Sequence, residues 1–359
     1  MILLATCLVL PMAACNRNKS FTSEENARVS ESIREFGTRC VGRYLIDVPK
    51  NVMTFGSAKL QGVEFEATPM SEEEFFRGIS AREAKLKSTI NLLHGYRVLY
   101  EHDVVPGLRT SHYFVSLSNP EGQPSDMLRT IEAYRWDRGY QIKLQVEGTD
   151  SINSVYVQEN RATPYGIPDQ FRKNDIPEKT RLVIDLLNRV QGRDENIIPD
   201  EPGVCFLGGF LRGGAAGKES ITSQFVLRHR TDVSFDLQTD SDIRESTTLL
   251  ERGGSINNVL DHNDGRTIRK GPVTLPGMQA EEWLMAGTTT LDVPGHHLTL
   301  EANSKIGSPK TPLVTLDMDT GSVNSVQRDH IDKASMTEGE AVALWDAVSK
   351  TLRPRQNGF

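Results

Sequence analysis

Glu201-Pro202-Gly203-Val204-Cys205-Phe206-Leu207-Gly208-Gly209-Phe210-Leu211 is the stretch at which the chain starts over. Ahead of it stand a periodic apolar segment and an acidic linker. Behind it runs a strand-like apolar segment opened by a cysteine. Near the N-terminus, Arg39-Cys40-Val41-Gly42-Arg43-Tyr44-Leu45-Ile46-Asp47-Val48-Pro49 reads the same way. The repetition predicts two copies of one domain, over 36–196 and 201–359.

Other landmarks recur in the same order. Val105-Pro106-Gly107-Leu108 leads into Tyr113-Phe114-Val115-Ser116, and Leu275-Pro276-Gly277-Met278 leads into Trp283-Leu284-Met285-Ala286. Cys40 and Pro106 are 66 positions apart, Cys205 and Pro276 71. Each copy closes on an apolar stripe at helical spacing. The first is Leu182, Val183, Leu186, Leu187 and Val190; the second is Ala341, Leu344, Trp345, Val348 and Leu352. Ser71-Glu72-Glu73-Glu74 and Thr337-Glu338-Gly339-Glu340 are capping boxes at helix starts. The first opens a helix expected over 72–92, with Gly95 as its C-cap. Val63-Glu64-Phe65-Glu66-Ala67 and the run from Tyr140 to Glu147 alternate as half-buried strands do. The expected fold is α+β, with two similar domains, each a mainly antiparallel sheet with covering helices. The polar region 241–266 carries no pattern strong enough to assign.

Composition narrows the function. The chain has 359 residues, 37% of them hydrophobic, with a net charge of -7 and a pI near 5.7. An acidic surface repels phosphate, so a nucleic-acid partner is not expected. The cysteines stand at 7, 15, 40 and 205, with no C-x-x-C pair to seed a thiolate metal site. His296 and His297 are neighbours and point to opposite faces of a strand. The glycine-rich run from Gly208 to Ser220 fails as a phosphate loop: Arg212 replaces the first glycine and Glu219 takes the hydroxyl position. It reads as a flexible hairpin loop. Gly253-Gly254-Ser255-Ile256-Asn257 lacks the closing glycine of a nucleophile elbow. With no nucleophile, base and acid set at useful spacing, the chain reads as a binding protein, not an enzyme, with no cofactor.

The N-terminus reads as an address. Residues 1–14 form a short apolar block of signal-peptide size, ending Met12-Ala13-Ala14-Cys15. This resembles a bacterial lipobox, in which Cys15 takes a diacylglycerol and becomes the first mature residue. The alternative is an ordinary secretory signal cleaved after Ala14. Residues 15–35 then form a polar tether. Asn16, not Asp, follows the cysteine, which favours the outer membrane over the inner. Either route places the mature chain in the periplasm, where disulfides persist.

Three segments carry a family resemblance. They are Cys40-Val41-Gly42-Arg43-Tyr44-Leu45-Ile46-Asp47-Val48-Pro49, Pro202-Gly203-Val204-Cys205-Phe206-Leu207-Gly208-Gly209, and Ala343-Leu344-Trp345-Asp346-Ala347-Val348 with Leu352-Arg353-Pro354-Arg355. Together they resemble the immunity proteins paired with type VI secretion lipase effectors. The resemblance implies a periplasmic or lipid-anchored two-armed clamp, monomeric when free. It implies a cognate phospholipase effector as partner, inhibited by blocking substrate access or lid movement. An envelope lipoprotein with a scaffolding role and a periplasmic small-ligand binder are the competing readings. The motifs are structural, so no contact residue transfers. Contact surfaces are expected in the loops 118–126, 212–219 and 241–266, while Trp136, Trp283 and Trp345 belong to strand and helix patterns and go to the core. With Cys7 discarded and Cys15 lipidated, Cys40 and Cys205 are left, either as a disulfide between the copies or as two buried thiols, one in each core.

Overall fold

The computed structural model describes residues 35–122, 124–161, 163–164 and 166–359. The signal peptide, Cys15 and all of the tether but Glu35 lie outside the described residues.

The first half begins with a hairpin of β1 (Phe36–Val41) and β2 (Tyr44–Pro49), followed by β3 (Val52–Leu60) and β4 (Val63–Pro69). Helix α1 (Glu72–Ser88) leads to β5 (Leu99–Asp103), β6 (Ser111–Leu117), β7 (Leu128–Asp137) and β8 (Tyr140–Thr149). Short helix α2 (Val155–Glu159), helix α3 (Ile176–Arg189) and β9 (Val190–Gly192) end it. The second half repeats the order. Hairpin β10 (Gly203–Phe206) and β11 (Gly209–Arg212) precedes β12 (Glu219–Leu227) and β13 (Arg230–Asp240). Helix α4 (Gly253–His262) leads to β14 (Arg266–Leu275), β15 (Met278–Thr288), β16 (Pro294–Ala302) and β17 (Leu313–Thr320). Helix α5 (Glu338–Ser349) and β18 (Arg353–Pro354) close the chain.

Sheet order shows how the halves meet. The main sheet has twelve antiparallel strands, β14-β15-β16-β17-β13-β12-β3-β4-β8-β7-β6-β5. Each half contributes six in the same pattern: two hairpin strands toward the centre, then the last of the remaining four, running outward to the first. The halves join where β3 lies against β12, through nine registered pairs from Glu219↔Leu60 to Leu227↔Val52. The linker is therefore no free hinge; backbone hydrogen bonds continue across it. One apolar core also spans both halves, with Ile46, Leu60, Ile131 and Leu186 from the first and Phe225, Leu237, Leu316 and Trp345 from the second.

The two cysteine hairpins stand outside the main sheet and exchange partners. Strand β18, the end of the second half, pairs with β2 of the first. Strand β9, the end of the first half, pairs with β11 of the second. Each small sheet therefore needs both halves.

Local chemistry explains most boundaries. Ser71 and Thr337 cap α1 and α5, each with the reciprocal glutamate three residues on. Helix α1 stops at Ser88, short of the expected 92, because Thr89 turns extended and its N–H and hydroxyl both return to the Lys85 carbonyl. Gly95 does have a left-handed φ of 68°, but in a separate turn closed by its N–H onto the Asn91 carbonyl. In the glycine-rich run Gly208 turns the β10–β11 hairpin, but the part after β11 is no hairpin loop. It connects a small sheet to the main one, and buried Arg43 holds it by donating to the Gly213 and Gly214 carbonyls and pairing with Glu219. The unassigned region 241–266 contains α4. Trp283 and Trp345 are fully buried, and Trp136 packs half-buried beside a smaller cluster of Phe75, Ile79, Leu86 and Phe114 under α1.

Candidate functional site

The three segments singled out in the sequence converge at the junction of the halves. Cys40 on β1 and Cys205 on β10 are joined by a disulfide with Cα atoms 5.7 Å apart. Both are buried, and they form a small cluster with Phe210. Gly42 and Cys205 exchange backbone hydrogen bonds of 2.9 and 2.8 Å beside the bond. Gly42 is required there: its φ is 57°, and a Cβ would stand 2.4 Å from the Thr239 hydroxyl.

Buried arginines complete the junction. Arg355, just past β18, donates to the carbonyls of Pro199, Glu201 and Gly203. Arg193, just past β9, donates to those of Ile197, Phe206 and Gly209. Burial lowers the pKa of both guanidinium groups from the usual arginine value. Arg193 also pairs with the Glu195 carboxylate at 3.1 Å, which offsets part of that burial, and the carbonyl contacts of both arginines fix backbone against backbone. The junction holds a shape and offers no reactive group.

The exposed surfaces that invite a partner lie toward the two ends of the main sheet. In the first half, Ile90, Leu92 and Leu93 follow α1 and are 67%, 80% and 57% exposed. The Asn91 side chain ties this segment to the loop 118–126 through the Pro120 carbonyl at 2.8 Å. Asp126 at the end of that loop is buried and caps α2, accepting from the Ser154 hydroxyl and the backbone of Val155 and Tyr156. Exposed Ile152 and Val155 stand on the capped segment. The loop 118–126 is thus tied to two exposed apolar stretches, of which Ile90, Leu92 and Leu93 form an apolar rim after α1.

In the second half, α4 stands off the sheet and buries no side chain. Ile256, Val259 and Leu260 form one wall of a groove of about 480 Å³ floored by Met285 and Ala286. Its far margin is polar, with His297 and Asp319. His297 Nδ1 donates to Asp319 Oδ1 at 2.9 Å. Burial alone would lower the imidazole pKa, but this bond and the neighbouring carboxylates raise it to about 9. Behind the pair, Asp236 on β13 is in register with Asp317 on β17. Burial, with repulsion from Asp319 and Asp317, pushes the Asp236 carboxyl up to about 6 despite a hydrogen bond from Gln224. Burial likewise raises Asp317. The groove is therefore apolar with a charged margin, in which the His297–Asp319 pair and Arg252 stand together.

Of the three loops expected to carry contacts, 118–126 supports the apolar rim and 241–266 supplies α4. The third, 212–219, is held at the junction by Arg43. Two signals were legible and passed over. Ile90 and Leu92 fall inside the helix expected over 72–92 although Leu92 lies off its apolar stripe, and Ile256, Val259 and Leu260 have helical spacing.

Comparison with known proteins bears on what these surfaces serve. The sequence matches the model of the Tle cognate immunity protein 4 N-terminal domain over residues 37–193 and that of the C-terminal domain over 197–357. No curated protein sequence matches it. Among solved structures, the fold resembles the apo form of TplEi, an immunity protein of the type VI secretion system of Pseudomonas aeruginosa. The TM-score is 0.67 at 18% identity, covering 90% of this chain and 98% of that one. The same figures hold for a chain of a Tle4–Tli4 complex. TplEi bound to an "L" peptide matches with a TM-score of 0.62 at 19% identity, covering 89% and 98%. With both domain models matched in order over nearly all of the described chain, the protein belongs to the Tle cognate immunity protein 4 family.

Proposed function

We propose that this chain binds and inhibits a cognate phospholipase effector of a type VI secretion system. The observation that carries the reading is the pair of family matches over residues 37–193 and 197–357, each to a domain of an immunity protein cognate to a Tle effector. Likeness to a chain in a Tle4–Tli4 complex supports it at the level of fold.

In this reading the halves are duplicated domains and act as the two arms of a clamp. The rim around Ile90–Leu93 is one contact and the groove beside α4 the other. The groove takes an apolar side chain of the effector, since Ile256, Val259, Leu260, Met285 and Ala286 line it. The continuous ladder and the Cys40–Cys205 bond set the spacing of the arms before binding. Rigid spacing lowers the entropy lost on association, and two linked contacts raise the effective concentration at the second. Gripping the effector on two sides blocks substrate access or lid movement. No residue of the inhibitor performs chemistry. The free protein acts as a periplasmic monomer, and a lipid on Cys15 holds it beside the bilayer that a phospholipase attacks.

The test is to mix the purified chain with the lipase encoded beside its gene and follow hydrolysis of phospholipid vesicles. Activity is expected to fall to background near one equivalent. Undiminished hydrolysis at excess chain sinks the proposal. Leu92→Asp and Val259→Asp, both at exposed positions, are each expected to weaken inhibition at least tenfold while the melting temperature stays put. Full inhibition by both variants would move the contact elsewhere.

A further inference from the structure

Glu83 on α1, His102 on β5 and His112 on β6 are distant in sequence, and the packing of α1 over the sheet edge brings them together. One ligand atom of each lies within 4.8 Å of the other two. Nδ1 of His102 stands 3.6 Å from Oε1 of Glu83. The two imidazoles stack with centroids 6.1 Å apart. Nε2 of His112 is buried and makes no hydrogen bond. An unpaired buried ring nitrogen is uncommon in folded proteins and calls for a partner. Two imidazoles and a carboxylate suit zinc and its first-row neighbours, whereas magnesium and calcium prefer oxygen donors.

We propose that Glu83, His102 and His112 bind a divalent transition-metal ion of the zinc class, with water completing the coordination. Tetrahedral ligands at ~2.1 Å stand about 3.4 Å apart, so the three donors have to draw in. His102 is exposed and Glu83 half-buried, which leaves both side chains room to turn. The Lys87 ammonium already sits on the Glu83 carboxylate and is the cation a metal displaces. Bound metal ties the last turns of α1 to the β5–β6 edge and steadies the start of the apolar segment that follows. The site is independent of effector inhibition, and either reading can fail alone.

The experiment titrates the purified full chain with zinc chloride, with magnesium chloride as control, by calorimetry and by thermal melting. One zinc per chain is expected, with a zinc-dependent rise in melting temperature, and neither effect with magnesium. Glu83→Gln, His102→Ala and His112→Ala should each weaken zinc binding at least tenfold. Lys87→Met, which removes the competing ammonium, should tighten it. Glu83→Gln and His102→Ala alter side chains with solvent access, so they decide the matter even if His112→Ala does not fold. No stoichiometric uptake by the unaltered chain overturns the proposal. So does uptake that Glu83→Gln and His102→Ala leave unchanged, since it would belong to the other histidines.

Discussion

Arg43 is a buried charge of the first half that holds a segment of the second. It is 3% exposed, pairs with Glu219 at 2.7 Å, and donates to backbone carbonyls of the 213–214 segment. Replacing it with methionine leaves the Glu219 carboxylate enclosed without a counter-charge. Removing one partner of a buried pair costs about 3–5 kcal/mol, whereas replacing both by apolar groups costs much less. Arg43→Met is therefore expected to lower stability by about 3 kcal/mol in urea unfolding, with Arg43→Met/Glu219→Met recovering part of it. A double variant no better than the single would mean the carbonyl contacts dominate. His297 makes a separate prediction in pH. Its folded pKa of about 9 lies above the ordinary 6.5, so the folded state holds the proton more tightly. That stabilisation is complete below pH 6.5 and is lost as pH rises through 9. Asp236, raised to about 6 from 3.8, acts in the same sense at lower pH: its contribution is full below 3.8 and gone above 6. The melting temperature of the unaltered chain should fall relative to that of His297→Gln between pH 6.5 and 9. A constant gap between the two across that window contradicts the assignment.

Elements at matching places in the order of the two halves play different parts. Helix α1 buries Phe75, Ile79 and Leu86 against Phe114 and Tyr134 and so closes its side of the sheet. Helix α4 occupies the corresponding place in the chain order and leaves even Ile256 and Leu260 only half-buried, with the groove open beside them. The cysteine hairpins play matching parts. Each is completed by the terminal strand of the other half, and Cys40–Cys205 links them across a separation of 165 residues. Closing so long a loop restricts the unfolded chain, an effect of about 2–5 kcal/mol in the chain-entropy account. Reduction with dithiothreitol should lower the melting temperature of the unaltered chain and leave Cys40→Ala/Cys205→Ala unmoved. Equal melting of the oxidised chain and the double variant would show that the exchanged strands already supply the constraint.

The main sheet, the two exchanged strands and one apolar core all cross the boundary between the halves. Two domains on a linker would unfold separately. Here, opening either half strips a ladder of nine registered pairs and exposes core side chains of the other. Calorimetry on the purified chain should accordingly give one transition, with calorimetric and van't Hoff enthalpies in agreement. Two resolved transitions would mean that the ladder between β3 and β12 is weaker than its register implies. A single cooperative body also suits the proposed grip on an effector, because contacts at the two ends of the sheet then share one fixed geometry.

Local signals in the sequence determined the elements. The capping boxes at Ser71 and Thr337 and the stripe Leu182–Leu187 are written in neighbouring residues, and so were legible. The Pro-Gly turns before β6 and β15 were legible for the same reason, as was the recurrence of a cysteine strand at Cys40 and Cys205. Tertiary structure alone decided what meets across distance. Strand β18 pairs with β2, Arg43 holds the 213–214 segment, and Asn91 ties the 89–95 segment to Pro120. Periodicity records which face of an element is apolar, and it is silent on which other face covers it. That silence made the 212–219 run read as a free loop when it is a held one. The helical spacing of Ile256, Val259 and Leu260 was legible, but the groove beside α4 exists only once the sheet is in place.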